Sequence, residues 1–343
     1  MGKIRYIGSK SRIVNDISEI LGKPQKGQRL IDLFCGTGVI SETMGQQGWE
    51  ILANDNLLSA SMLTSARLMD ESIIKFDKTG GYLNTIAFLN NLKGEEDFFY
   101  KQYSTSSNNN FNNPRPYFTE ENAKKIDAIR NQIKEWDRFQ YITTFEKTLL
   151  LADLIESSNQ IANIAGTYGS FLKKFTASTL RPLTMTPRNL HKNQIQWSTS
   201  TKDAFELNTL PSDVVYIDPP YTKRQYAAYY HIPETIANED KPIVEGVTGL
   251  RPWKKKASVF CYKTKASSAM RELLEGINSK RILISYSSDG HISFEEMNEI
   301  AKSQGEYNVK LFSDFGRYSP NFTSRKNSLV RPLTEYLIDI RKQ

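Results

Sequence analysis

The chain has 343 residues, 39% of them hydrophobic and 24% charged, so it is globular in composition and can bury a core as one large domain with an insertion or as two ordinary domains. A formal charge of +7 and a pI near 9.1 permit a polyanionic partner. Two cysteines exclude a disulfide framework, three histidines show no metal-ligand spacing, and no apolar run reaches membrane-spanning length; a cytoplasmic protein without metal or membrane partner is expected.

In chain order, Arg29 to Phe34 reads as a buried strand, followed by the glycine turn Gly36-Thr37-Gly38 and a helix from Val39 to about Gln47. A second strand is expected at Glu50 to Ala53, and a helix from Asn56 to Met69. Residues 104 to 116 lack periodicity and read as an exposed loop. Two helices follow, Glu120 to Trp136 capped by Thr119 and Phe145 to Ala162 capped by Thr144. Later strands are expected at Asp213 to Ile217, Arg281 to Tyr286, Tyr307 to Ser313 and Thr334 to Ile340, the last two as a hairpin. Strand, turn, helix and strand in that order predict an α/β fold with a parallel sheet and helices on both faces.

Three constellations carry chemistry. In Asp32-Leu33-Phe34-Cys35-Gly36-Thr37-Gly38 a carboxylate ends a strand and glycines let a ligand approach the backbone. The third glycine of a dinucleotide fingerprint is missing and no Gly-Lys-Ser/Thr follows, so phosphate cradling is disfavoured, whereas a carboxylate suits a ligand with an ammonium group. An ordinary strand-to-helix turn is the competing reading. Asp55, after the next strand, is placed to accept hydrogen bonds from ribose hydroxyls or, alternatively, to cap a helix. The third is Asp218-Pro219-Pro220-Tyr221 after the apolar Val214 to Ile217. Two prolines remove two amide donors, leaving the Asp218 carboxylate and the Pro219 carbonyl to accept the two hydrogens of an amino group, while Tyr221 offers a face for stacking a base; a plain proline turn is the alternative.

The segments Asp32 to Gly38 and Asp218 to Tyr221 resemble the cofactor and catalytic motifs of N6-adenine DNA methyltransferases, and their order resembles the alpha group, the Dam-type and related restriction-modification methylases. Arg5-Tyr6-Ile7-Gly8-Ser9-Lys10 looks like that group's N-terminal cofactor motif, with Arg5 where the family usually has lysine. The resemblance covers both ends of the chain; residues 75 to 200 match only as a variable insertion. It implies a Rossmann-like methyltransferase sheet with an inserted target-recognition region: 1–75 and 201–343 as the two parts of the catalytic domain and 76–200 as the insertion. It implies S-adenosylmethionine as cofactor, with Tyr6, Gly8, Ser9 and Lys10 lining its methionine end, Asp32 on its amino group, Phe34, Gly36 and Gly38 shaping the turn, Asp55 on the ribose, and Asp203 and Phe205 at its adenine. Catalysis falls to Asp218, Pro219, Pro220 and Tyr221, acting on the N6 amino group of an adenine flipped out of double-stranded DNA. A prokaryotic, nucleoid-associated enzyme, paired with a cognate restriction endonuclease, follows from the same resemblance.

A cytosine-C5 enzyme would need an attacking thiolate, and neither Cys35 nor Cys261 has the Pro-Cys context. An RNA adenine methyltransferase and a non-catalytic DNA-binding protein on the same scaffold are the alternatives, and methyl transfer separates the latter. The basic surplus is local: residues 166 to 265 hold fifteen Lys plus Arg against eight Asp plus Glu, a surplus of seven that equals the whole chain's. Residues 163 to 200 are assigned to sequence recognition, with Tyr168, Phe171, Arg181, Arg188 and Lys192 and with phosphate contacts from Lys173 and Lys174. Lys223, Arg224, Arg251, Lys254, Lys255 and Lys256 are assigned to clamping the DNA backbone.

Overall fold

The computed structural model describes residues 6–8, 10–107, 113–315 and 333–342. In chain order the elements are α1 (Val14–Leu21), β1 (Arg29–Asp32), α2 (Val39–Gln46), β2 (Glu50–Asn54), α3 (Leu58–Leu68), α4 (Tyr82–Asn91), α5 (Phe98–Tyr103), α6 (Glu120–Arg138), α7 (Thr144–Ile161), β3 (Trp197–Ser200) and β4 (Val214–Ile217). There follow α8 (Tyr226–Tyr229), α9 (His231–Asn238), α10 (Ala266–Gly276), β5 (Arg281–Ser287), α11 (Phe294–Gln304), β6 (Gly305–Phe315) and β7 (Leu333–Lys342). They form two compact units, one of residues Gly8–Asn56, Ile195–Tyr226 and Lys256–Gln343, the other of Met1–Ile7, Leu57–Gln194 and Ala227–Lys255. Residues 57–75 and 227–255, which the sequence reading placed with the catalytic domain, thus cluster with the inserted segment.

The first unit is built on one sheet of order β3-β2-β1-β4-β5-β7-β6. The neighbours from β3 to β5 pair in parallel, and β7 runs antiparallel to both β5 and β6. The Val-Val-Tyr-Ile of β4 is buried at all four positions, as a central parallel strand covered on both faces requires. Flanking helices complete the core: Met270, Leu273 and Leu274 of α10 and Met297 and Ile300 of α11 pack with Ile31, Val215, Ile282 and Ile338. The strand order reverses between β1 and β4, and in open α/β sheets ligands bind beyond the carboxyl ends of the strands at such a switch point.

The expected early strands, the strands at 214–217 and 281–286 and the closing hairpin all form. One strand went unpredicted: Trp197–Ser200, given to sequence recognition, is instead the edge strand β3, with Ile51 opposite Trp197. Its Trp-Ser-Thr-Ser sequence has no apolar run because only one neighbour covers it.

In the second unit α7 packs against α3, α6 and α9, and α6 also against α5. Thr119 caps α6, its Oγ1 accepting from the Asn122 amide at 3.2 Å. Thr143 rather than Thr144 caps α7, because only from Thr143 does Glu146 fall at the third helical position and close a reciprocal capping box. Of the expected loop at 104–116, residues 108–112 lie outside the described residues, but Ser107 and Arg115 on its flanks are buried rather than exposed. Among the described residues no helix is long and apolar enough to cross a membrane.

Candidate active site

Asp32 is the last residue of β1 and 1% exposed. The Ser41 hydroxyl of α2 donates to its Oδ2 at 2.6 Å, while its Oδ1 has no hydrogen-bond partner among the described residues. Burial pushes this carboxyl up to about 7; Ser41 opposes the shift and the negative charges of Asp218 and Asp55 add to it. A buried acceptor without a donor is costly, and a carboxyl raised by two neighbouring carboxylates marks a site that favours a cation. The turn that follows has Gly36 at φ 52° and Gly38 at φ 78°, left-handed values that let the chain double back directly into α2. Asp55, just past β2, accepts from the Gly36 amide through Oδ2 at 3.1 Å, which ties the end of one strand to the turn after the other. Asn54 beside it bonds Leu33 O and Lys202 O through Nδ2 and accepts from the Lys202 amide, so the chain before Asp203 is held to the same edge.

Phe205 is 38% exposed and stacks on Phe260 with ring centroids 6.0 Å apart and 11° between planes; Phe34 meets Phe260 edge-on at 5.8 Å. Asp203 is exposed and its carboxylate accepts from the Phe205 amide, fixing the short turn that carries the ring. These three aromatics form an apolar wall suited to a planar base. Phe260 escaped the sequence reading because nothing in its neighbourhood marks it: it sits in a one-turn helix, Val259–Cys261, far from every motif.

Asp218 follows β4. Lys10 lies with its Nζ 3.2 Å from Asp218 Oδ1 and 3.6 Å from Glu335 Oε2 of β7, within ion-pairing distance of both carboxylates but without hydrogen-bond alignment. Burial raises Asp218 to about 6, more than Lys10 lowers it, and Glu335 adds to the rise. Lys10, 4% exposed, stays firmly charged because Asp218, Tyr221 and Glu335 outweigh the cost of its burial. Its ammonium also lies over the Tyr221 ring, 5.2 Å from the centroid, and Tyr286 flanks that ring at 5.6 Å. The segment after the prolines is anchored throughout. His291 N donates to Tyr221 O, Cys261 Sγ to Arg224 O, and Gln225 and Ser258 exchange two hydrogen bonds of 3.0 and 2.8 Å.

The structure therefore brings Lys10, Asp32, Gly36, Gly38, Asp55, Asp218 and Tyr221 to one end of one sheet, with Phe34 and Phe205 around Phe260. Lys10 is paired with Asp218, and Glu335, which the sequence reading did not single out, is the second carboxylate within its reach. Gly8, at φ 79°, lies beside the Tyr226 hydroxyl, which a Cβ would meet at 3.2 Å. Ser9 and Arg5 lie outside the described residues. Tyr6 stacks on Tyr230 at 4.4 Å, and Tyr230 Oη also accepts from the Ile7 amide. Cys35 and Cys261 are both buried, and burial pushes the Cys261 thiol up to about 12, so it is no thiolate nucleophile.

Among the basic-segment residues, Lys173, Lys174, Arg181, Lys192, Lys223, Arg224, Lys254 and Lys255 are exposed and Lys256 is half-buried. Two expectations are corrected. Tyr168 is 1% exposed, because its backbone is tied to Tyr229, Tyr117 and His231, and it is a core residue. Arg188 is buried against Asp153 at 2.7 Å and Glu156 at 3.5 Å. Arg251, half-buried, pairs with Asp240 through two bonds of 3.1 and 2.8 Å.

Residues 6–304 match the family model of the D12 class N6 adenine-specific DNA methyltransferases. The chain is 36% identical over 99% of its length to Type II methyltransferase M.FokI of Planomicrobium okeanokoites and 35% identical over 99% to modification methylase StsI of Streptococcus sanguinis, covering 53% and 52% of those proteins, so it spans about half their length. It is 31% identical to Type II methyltransferase M.NlaIII of Neisseria lactamica over 99% of both chains. With its carboxylates at the ends of β1, β2 and β4 of a 3-2-1-4-5-7-6 sheet, the chain belongs to the D12 class N6 adenine-specific DNA methyltransferase family.

Proposed function

We propose that this chain transfers a methyl group from S-adenosylmethionine to the N6 amino nitrogen of an adenine in double-stranded DNA, as the modification arm of a restriction-modification system with a cognate endonuclease. The observation that carries the reading is the meeting of Asp218 and Tyr221 with the half-satisfied Asp32 carboxylate at one switch point. The similarity to type II methylases supports the same reading.

The residues present fit that cofactor. Asp32 Oδ1 would take its ammonium, Asp55 its ribose, and the wall of Phe34, Phe205 and Phe260 its adenine; when bound it supplies an electrophilic methyl on a sulfonium. The chain's own work is to make a poor nucleophile competent. The adenine amino lone pair is delocalised into the ring, and Asp218 and the Pro219 carbonyl would hold its two hydrogens so that the nitrogen becomes pyramidal and its lone pair is aimed. Lys10 keeps Asp218 ionised despite burial, and Tyr221 would stack on the target base. The base must leave the duplex to reach this site, at a cost of a few kcal/mol. The inserted unit would read the sequence with Arg181 among its contacts and Lys173 and Lys174 on phosphates, and Lys223, Arg224 and Lys254 to Lys256 would hold the backbone.

Incubation with labelled S-adenosylmethionine and duplex DNA, followed by nucleoside analysis, tests the activity: N6-methyladenine is expected, and label in RNA alone or nowhere would overturn it. For the backbone clamp, replacing Lys254, Lys255 and Lys256 together by Ala should weaken binding to all duplexes. The plot of log affinity against log salt should flatten by about one unit for each phosphate no longer neutralised. An unchanged slope would mean that these lysines touch no phosphate.

A further inference from the structure

The turn from Glu245 to Leu250, which belongs to no motif, is built unusually. Glu245 and Leu250 exchange backbone hydrogen bonds of 2.9 and 2.8 Å, and the Gly249 amide donates back to Gly246 O. Three carbonyls of the turn are then drawn inward by buried side chains: Arg115 Nη2 donates to Gly246 O at 3.0 Å and Nε to Val247 O at 3.2 Å, and Tyr103 Oη to Gly249 O at 2.8 Å, while Tyr117 Oη, whose single proton is shared with Tyr168 O at 2.8 Å, lies 3.2 Å from Thr248 O. Gly249, at φ 68°, allows this approach, since a Cβ there would lie 2.9 Å from Arg115 Nε and 3.0 Å from the Tyr103 ring. The amides of Gly246, Val247 and Thr248 make no hydrogen bond among the described residues, and Gly246 and Val247 are exposed.

Beneath the turn, Arg115 is 3% exposed, and no carboxylate among the described residues lies within ion-pairing distance of it. Its guanidinium is satisfied only by neutral oxygens, those of Gly246, Val247 and the Gln102 side chain. A buried cation lacking a counter-charge is costly, and carbonyls turned inward with amides left free make a concavity for an anion. From this juxtaposition we infer that the turn 245–250 seats a backbone phosphate of the DNA substrate, with the amides of Gly246, Val247 and Thr248 as donors and Arg115 as the charge behind them. The inference rests on the proposed action on DNA. The turn's own carboxylate, Glu245, is exposed and opposes a phosphate.

Val247→Pro deletes one of the three donors at the turn position that accommodates proline, and Val247 is not among the residues with positive φ. It should weaken duplex binding about tenfold, on a par with losing a hydrogen bond to a charged group, whatever the DNA sequence, while S-adenosylmethionine affinity stays as in the parent chain. Glu245→Gln should tighten duplex binding about two- to fivefold. A Val247→Pro chain that binds cofactor and duplex like the parent overturns the seat. If that variant does not fold, Glu245→Gln decides, and unchanged duplex affinity in it overturns the seat. Inorganic phosphate that raises the parent's melting temperature but not that of Val247→Pro, with equal duplex affinity, would make this a free-anion site and equally overturn the assignment to DNA. A parent chain that binds duplex but transfers no methyl group overturns the proposed activity and leaves the seat standing, whereas one that binds no duplex overturns both.

Discussion

Asp218→Asn is expected to lower single-turnover methyl transfer by about 10²- to 10³-fold, the scale on which one preorganised polar group at a reacting centre acts, with cofactor affinity largely unchanged. The amide keeps the size of the carboxylate but presents an N–H where the target amino group needs an acceptor. Asp218→Ala should be as inactive and less stable, since Lys10 would then be buried with only the more distant Glu335, at 3.6 Å, as counter-charge. The parent enzyme should lose rate as pH falls through about 6, because Asp218, raised by burial, takes up a proton there and its acceptor becomes a donor. Single-turnover kinetics across that range, with calorimetry of cofactor binding, check both parts. Lost cofactor affinity with intact chemistry would assign Asp218 to the cofactor.

Asp32→Asn should weaken S-adenosylmethionine binding by about tenfold to a hundredfold, the worth of a hydrogen bond to a charged group. In the parent chain this interaction should depend on pH. Asp32 titrates near 7 when folded against 3.8 for the ordinary group, so the folded state binds its proton more tightly, and the stability this lends is present at low pH and lost as pH rises through about 7. An ammonium reverses the balance, since it needs the carboxylate. Affinity should therefore climb as pH rises to about 7, then decline above about 8 as an α-amino group gives up its own proton. Binding near pH 6 should also release a proton, visible as a dependence of the calorimetric heat on buffer. An affinity flat from pH 5.5 to 8 and equal in Asp32→Asn would leave the glycine turn with a purely structural role.

The parts of the site legible in the sequence were those whose chemistry is local. Asp32 before Gly36 and Gly38, and Asp218 before two prolines, announce themselves because a strand end, a turn and a carboxylate are adjacent in the chain. The same holds for the fold where apolar runs or caps are strong, as in β4 or α6. What failed were judgements about which face a side chain takes. Tyr168 and Arg188 carry the chemistry of a nucleic-acid contact, yet burial, and for Arg188 pairing with Asp153, withdraws both. Composition records charge but not its partner.

By itself, the sequence determined six of the seven strands, the order of the motifs, the family resemblance and the candidate carboxylates, because each rests on residues that are near neighbours in the chain. Only the tertiary structure decided that Lys10 answers Asp218 and Glu335, that Phe260 stands between Phe34 and Phe205, and that Arg115 holds a turn more than a hundred residues away. These pairings depend on strand order and on burial. Reversal of the sheet between β1 and β4 brings residues far apart in the chain to one crevice, and exclusion of water there sets which charges must pair and which carboxylates hold their protons.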